Sequence, residues 1–245
     1  MTLSRPAARN AIGRQLLKEL GEALRLLNYE RSTRCVVVRS SSPGVFSAGA
    51  DLKERATMTQ VEAADFVTLL RSSFSALEAL PMPTVAVIDG FAIGGGAELA
   101  LSCDLRVAGH GATFAFPETR LGIIPGAGGT QRLPRVVGRT RAKELVFTGR
   151  RIDASEAATY GLVDYVVEPG TSAEERGMVL ARDIAQAGPI ALRMAKAAIN
   201  GGMETDLQTG LAMESACYAQ VLPTQDRLEG LRAFAEKRVP VFTGM

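Results

Sequence analysis

The sequence predicts an α/β protein with crossover connections. Helix-like and strand-like segments alternate, each short apolar run ends in a glycine-bearing turn, and a composition of 47% hydrophobic and 22% charged residues lets 245 residues bury a sizeable core. In such folds functional groups collect where strands end.

The elements follow in order. Asn10 is placed to cap a helix whose apolar face runs through Leu16, Leu17, Leu20, Ala23, Leu24 and Leu27. Cys35 to Val38 reads as a short buried strand, closed by the Ser40–Gly44 turn cluster. A glycine-bearing loop over Phe46 to Asp51 leads to Thr59-Gln60-Val61-Glu62, which has capping-box spacing and starts a long helix reaching Leu80. Pro81 and Pro83 stop it. Val85 to Ile88 gives a second buried strand, then come Asp89-Gly90, the triple glycine Gly94 to Gly96, and a helix from about Ala97. From Pro189 the pattern is helical, with Pro223 as a break and Thr224 as a cap for a last short helix. The expected division is a core over 1–188, carrying the active site, and a helical region over 189–245 that packs elsewhere or makes oligomer contacts.

Composition removes several function classes. A formal net charge of +2 is too mild for a nucleic-acid binder, though it suits an anionic small molecule. Cys35, Cys103 and Cys217 are widely spaced, which argues against a disulfide framework or a zinc site and for a reducing compartment. His110 is the one histidine and lies between two glycines, a setting for a turn rather than for a partnered base, so no metal site is expected. No run of about 18 apolar residues predicts a membrane span. Neither glycine cluster has dinucleotide spacing or a P-loop lysine, which sets aside NAD and ATP.

Chemistry enters with Glu98 and Glu118. Glu98 follows Gly94 to Gly96 and is surrounded by Ala97, Leu99, Ala100 and Leu101, so burial is expected to raise its pKa unless donors compensate. Two nearby carboxylates with separated pKa values can act as base and acid. N–H groups from the triple glycine and from Ala48-Gly49-Ala50 could converge on one developing oxyanion. The plainer readings are a tight turn packed under a helix and surface acids at helix starts.

Four segments resemble the crotonase, or enoyl-CoA hydratase, superfamily over essentially the whole chain: Ala48 to Glu54, Ile88 to Leu99, Pro117-Glu118 with Ile124 to Arg132, and Phe234 to Arg238. Asp51 to Arg55, Ala216 to Gln220 and Pro223 to Gly230 are most similar to the methylglutaconyl-CoA hydratase branch that includes an AU-rich RNA-binding protein. The resemblance implies a crotonase-like ββα spiral core with a C-terminal helical oligomerisation region. It implies hydration of a short or branched 2-enoyl-CoA, such as crotonyl-CoA or 3-methylglutaconyl-CoA, to a 3-hydroxyacyl-CoA, with no cofactor beyond the coenzyme A of the substrate. Alternatives within reach are enoyl-CoA isomerisation and a non-catalytic CoA- or RNA-binding scaffold.

By the same match, Glu98 and Glu118 hold the attacking water, Ala50 and Gly95 form the oxyanion hole, and Gly126 stands beside the water. Ala48, Lys53, Phe234 and Lys237 fall at coenzyme A positions, the last two reaching a neighbouring subunit's ligand in a homotrimer or homohexamer. Bacterial cytoplasm is the implied compartment, with the mitochondrial matrix as the alternative. Three departures stand out. Most of the family's N-terminal β-hairpin is absent, and Phe116 replaces a frequent glutamine, so it is expected to reshape the acyl pocket. The helix matching the lysine-rich RNA-binding surface mixes Arg14, Lys18, Arg25 and Arg31 with Glu19, Glu22 and Glu30, which argues against carrying RNA binding over.

Overall fold

The computed structural model describes residues 1–245. Its elements are β1 Thr2–Leu3, α1 Arg14–Tyr29, β2 Val36–Ser40, β3 Val45–Ser47, α2 Leu52–Arg55, α3 Gln60–Glu78, β4 Thr84–Ile88, β5 Phe91–Ile93, α4 Gly95–Leu101, β6 Leu105–Ala108 and β7 Thr113–Ala115. There follow α5 Gly129–Val137, α6 Arg139–Thr148, β8 Ile152–Asp153, α7 Ala154–Thr159, β9 Tyr165–Val166, α8 Ala173–Ala185, α9 Pro189–Gly202, α10 Leu207–Val221 and α11 Gln225–Glu236. Two compact units divide the chain. One comprises Met1–Glu30, Val37–Leu80 and Thr84–Val179; the other comprises Arg31–Val36, Pro81–Pro83 and Leu180–Met245.

In the first unit, the strands from β2 to β7 alternate between two sheets. One sheet has the order β1-β2-β4-β6-β9 and the other β3-β5-β7-β8. The pairs β4–β6 and β5–β7 are parallel, in registers Val85↔Leu105 and Phe91↔Thr113, and β7–β8 is antiparallel. β4 is buried at every position, as expected of a continuous apolar run in a parallel strand. The edge beside β2 is taken by β1, paired in parallel with Thr2 opposite Arg39. Each passage from one sheet to the other needs a tight corner. At Gly90 (φ +93°) a Cβ would fall 1.9 Å from the carbonyl carbon of Gly44, so the turns before β3 and β5 stack backbone on backbone.

α1 buries Leu16, Leu17, Leu20 and Leu24, the centre of the expected face. Its cap is not Asn10. Gly13 takes that position without a side-chain bond, while Asn10, fully buried, accepts from Arg5 N and donates to Ser40 Oγ and Phe46 O. A polar side chain with several backbone partners in the core satisfies more groups there than at a helix end. The Thr59–Glu62 capping box forms as the spacing predicts, and α4 starts at Gly95, two residues before the expected Ala97.

The C-terminal helical run begins at Ala173, ahead of the expected Pro189, because α8 carries its own amphipathic run; the second unit takes it up from Leu180. α9 and α10 form a hairpin whose close approach is made by Gly202 and Gly210, where a Cβ on Gly210 would sit 3.4 Å from Gly202 Cα. Thr224 caps α11 by accepting from Arg227 N. No helix is long and apolar enough to cross a membrane.

Candidate active site

A cleft of about 880 Å³, lined entirely by the first unit, opens where β5 runs into α4. A volume of that order matches a small-molecule site. One wall is the loop after β3, stitched to the segment preceding α1: Ile12 N donates to Gly49 O, Asp51 N to Ile12 O, and Ala48 N to Arg9 O. Asp51 then caps α2 and pairs with Arg5 at 2.8 Å. This fixes the direction of Ala50 N–H.

The opposite wall is the corner at Gly94 (φ +53°), which turns the chain into α4. Glycine is required at both corners. A Cβ on Gly49 (φ +86°) would lie 2.5 Å from Ile93 O and 3.2 Å from Gly95 N. The two loops therefore bring Ala50 N and Gly95 N together on the cleft, and neither N–H donates to a protein acceptor. Paired backbone donors of this kind suit a developing oxyanion.

Glu98 is 2% exposed, one turn into α4. Its Oε1 accepts from Ala127 N at 2.9 Å and Gly129 N at 2.7 Å. These donors come from the Gly126–Gly129 turn and from the first residue of α5, where a helix leaves its N–H groups unsatisfied. Burial nevertheless raises the Glu98 pKa, against the pull of the two N–H groups and of Arg132 and Arg71.

Glu118 sits in the short turn over Pro117–Leu121 and is treated differently. Its buried Oε2 has no hydrogen-bond partner. Burial pushes its pKa from 4.5 up to about 7, against a hydrogen bond from its own backbone N–H and with a smaller upward push from the neighbouring Glu98 charge. One carboxyl is thus supplied with donors for the anion, and the other is poised to carry a proton near neutrality.

Of the residues picked out from sequence, Ala48, Ala50, Gly95, Glu98, Glu118 and Gly126 all line the cleft. Lys53 does not; it is exposed on α2, whose Leu52 and Arg55 do line it. Phe234 (85% exposed) and Lys237 (φ +53°) belong to the second unit, at the end of α11. His110 is exposed in a turn away from the lining. The expectation for Phe116 is corrected: it is fully buried at the head of the Pro117–Leu121 turn, where the chain leaves β7, and does not line the cleft. Sequence reasoning missed the N–H groups of Ala127 and Gly129, although a glycine pair opening a helix is a recognisable anion-binding signal. It also missed Val67, Leu70 and Arg71, the cleft-facing side of α3.

The Enoyl-CoA hydratase/isomerase family model matches residues 1–245. A probable mitochondrial enoyl-CoA hydratase 2 of Arabidopsis thaliana is 54% identical over 100% of this chain and 81% of its own. The mitochondrial methylglutaconyl-CoA hydratase of Homo sapiens is 50% identical over 99% of this chain and 72% of its own. A crystal structure of an enoyl-CoA hydratase from Bacillus anthracis superposes with TM-score 0.97 at 49% identity, covering 100% of this chain and 94% of that one.

Proposed function

The chain belongs to the enoyl-CoA hydratase/isomerase family, and from that premise we infer that it hydrates a short or branched 2-enoyl-CoA through Glu98 and Glu118. The observation that carries this reading is the unequal treatment of the two buried carboxyls: two N–H groups meet Glu98 Oε1, while Glu118 keeps a buried oxygen, Oε2, without a partner. The thioester carbonyl accepts from Ala50 N and Gly95 N, which draws electron density from C3. Ionised Glu98, steadied by Ala127 N and Gly129 N, takes a proton from water as its oxygen bonds to C3. Protonated Glu118 gives its proton to C2. The π bond is replaced by C–O and C–H bonds, and the product is a 3-hydroxyacyl-CoA. A proton passing from Glu98 to Glu118 through the open cleft resets the pair, so water is the only co-reactant and no cofactor enters the balance.

Coenzyme A is assigned to Ala48 on the cleft wall and Lys53 on α2, where a cation suits phosphate oxygens. Phe234 and Lys237 are assigned to the ligand of a neighbouring subunit in a homotrimer or a dimer of trimers. The apolar side chains Leu207, Leu211, Leu228 and Leu231, exposed on α10 and α11 in one chain, support burial of the 189–245 region on assembly. Relatives from mitochondria and from Bacillus support an aqueous interior compartment, bacterial cytoplasm or mitochondrial matrix.

The test follows loss of enoyl-thioester absorbance with crotonyl-CoA. Glu98→Gln and Glu118→Gln are each expected to lower kcat by about 10³-fold, the scale of a lost general acid or base. Turnover kept near wild type by either folded variant would overturn the pair mechanism.

A further inference from the structure

The turn that grips Glu98 is itself gripped. Its two donors, Ala127 N and Gly129 N, are accompanied by two carbonyl oxygens that each accept from a guanidinium. Arg71 Nε donates to Gly126 O at 3.1 Å, and Arg132 Nη1 donates to Ala127 O at 2.9 Å. Gly126 O and Ala127 N belong to one planar peptide unit, and Ala127 O belongs to the next. A carbonyl held by a charged donor fixes the plane of its peptide, and with it the direction of the N–H at the other end.

Arg132 is the more heavily tied of the two cations. Its side chain is 13% exposed. Nε and Nη2 both donate to Glu78 Oε2, at 3.1 and 2.6 Å, and Nη2 also donates to Ser75 Oγ at 3.2 Å. A Cβ on Gly128 (φ +108°) would run into Nη1, so the guanidinium lies against the residue between the two donors. The anchors come from one stripe of α3, where Val67, Arg71, Ser75 and Glu78 follow one another at helical spacing and all meet the 126–132 segment. The charged groups facing Glu98 are Arg132 from α5, Arg71 from α3 and Glu118 from the Pro117–Leu121 turn. Burial raises the Glu98 pKa, and behind the two N–H groups Arg132 and then Arg71 oppose it.

We propose that Arg132 is the positioning residue for the base: bridging Glu78 and Ser75 on α3 to Ala127 O, it sets the donor turn so that both N–H groups meet Glu98 Oε1. Its guanidinium fork is what the task requires, because one side chain reaches the helix and the turn at once. The proposal deepens the hydratase reading and rests on it for the work that Glu98 does, while the hold on the carboxylate is measurable without turnover.

The ionisation of Glu98 is therefore followed by infrared spectroscopy against pH, as the carboxylate band lost on Glu98→Gln in the same background. Arg132→Met is expected to move that titration upward, and the acid limb of the rate profile with it, because the anion loses its fixed donors. With crotonyl-CoA, kcat is expected to fall about 10-fold while KM stays within about 2-fold, since what is lost acts in the transition state. Binding of saturated butyryl-CoA, read by titration calorimetry, is expected to be unchanged. Arg132→Lys returns the charge without the fork and is expected to recover part of each effect. Glu78→Met, a change at a half-exposed helix end, is expected to act in the same direction by about 3-fold in kcat, and to add nothing when combined with Arg132→Met. It carries the test alone if Arg132→Met does not fold. An unmoved Glu98 titration in either variant, or a loss of kcat matched by an equal loss of butyryl-CoA affinity, would overturn the assignment. Failure of the hydratase reading registers separately, as absence of crotonyl-CoA turnover by a wild type whose Glu98 titration still responds to Arg132→Met.

Discussion

The two glutamates differ less in depth than in what surrounds them. Around Glu98 the chain supplies a helix start and a glycine turn, and two backbone N–H groups meet one carboxylate oxygen. Around Glu118 it supplies a short turn closed by Gly122 in the left-handed region, and leaves a buried oxygen without a partner. Burial pushes both pKa values up; Glu98 is opposed by two N–H groups from the glycine turn and by two arginines, Glu118 by its own backbone N–H alone. The difference teaches that the division of labour between two identical side chains is written in backbone geometry some thirty residues away from the acid it acts upon: Ala127 and Gly129 are far along the chain from Glu98.

Stability against pH gives the largest test of this contrast. A carboxyl whose folded pKa is about 7, against 4.5 when free, holds more protons folded than unfolded between those values. Stability is therefore greatest below about 4.5 as far as Glu118 is concerned, falls as pH rises toward 7, and levels above it. Its contribution amounts to at most about 3 kcal/mol. Glu118→Gln removes the ionisation and is expected to raise stability at pH 8 while changing little at pH 4.5, measured by urea unfolding. Glu98→Gln, which exchanges a donor-supplied carboxylate for an amide, is expected to gain less. Equal gains in the two variants would break the comparison.

The pH–rate profile sharpens it further. Glu118 must be protonated to deliver its proton, so kcat/KM is expected to fall above about pH 7, while ionised Glu98 sets the acid limb. Because the groups interact, the two limbs report values of the pair. A profile flat from pH 6 to 9 would remove Glu118 from the acid role.

How much of this was legible in the sequence depends on range. Contacts between near neighbours were readable: the Thr59–Glu62 box, the apolar run Val85 to Ile88 within β4 and the Thr224 cap formed as spacing dictated. Glu98 and Glu118 stood out because each follows a local signature. Asn10 misled for a physical reason. Its residue type suits a cap, but its partners Ser40 and Phe46 are brought to it only by the pairing of distant segments. Phe116 misled likewise, since the bend from β7 into the Pro117–Leu121 turn, and not its distance in sequence from Glu118, sets where its side chain goes. The glycine pair opening α5 carries an anion-binding signal, but no local pattern says which acid that turn will face.

The finest test places one methyl group in each cradle. A Cβ on Gly129 would sit 2.9 Å from Glu98 Oε1 and 2.9 Å from Pro125 Cβ, so Gly129→Ala forces the carboxylate away from its donors while leaving ordinary backbone angles. A Cβ on Gly94 would sit 2.8 Å from Glu118 Oε1, at a positive φ that adds backbone strain. Both substitutions are expected to lower kcat by about 10-fold, equivalent to about 1.4 kcal/mol of transition-state stabilisation. The limbs distinguish them. Gly129→Ala takes donors from the Glu98 anion and moves the acid limb upward, because a carboxylate short of N–H bonds protonates more readily. Gly94→Ala disturbs the proton on Glu118 and moves the alkaline limb instead. If both variants shifted the same limb, the carboxyls would be acting as one undifferentiated pair, and the separate cradles would not be what assigns base and acid.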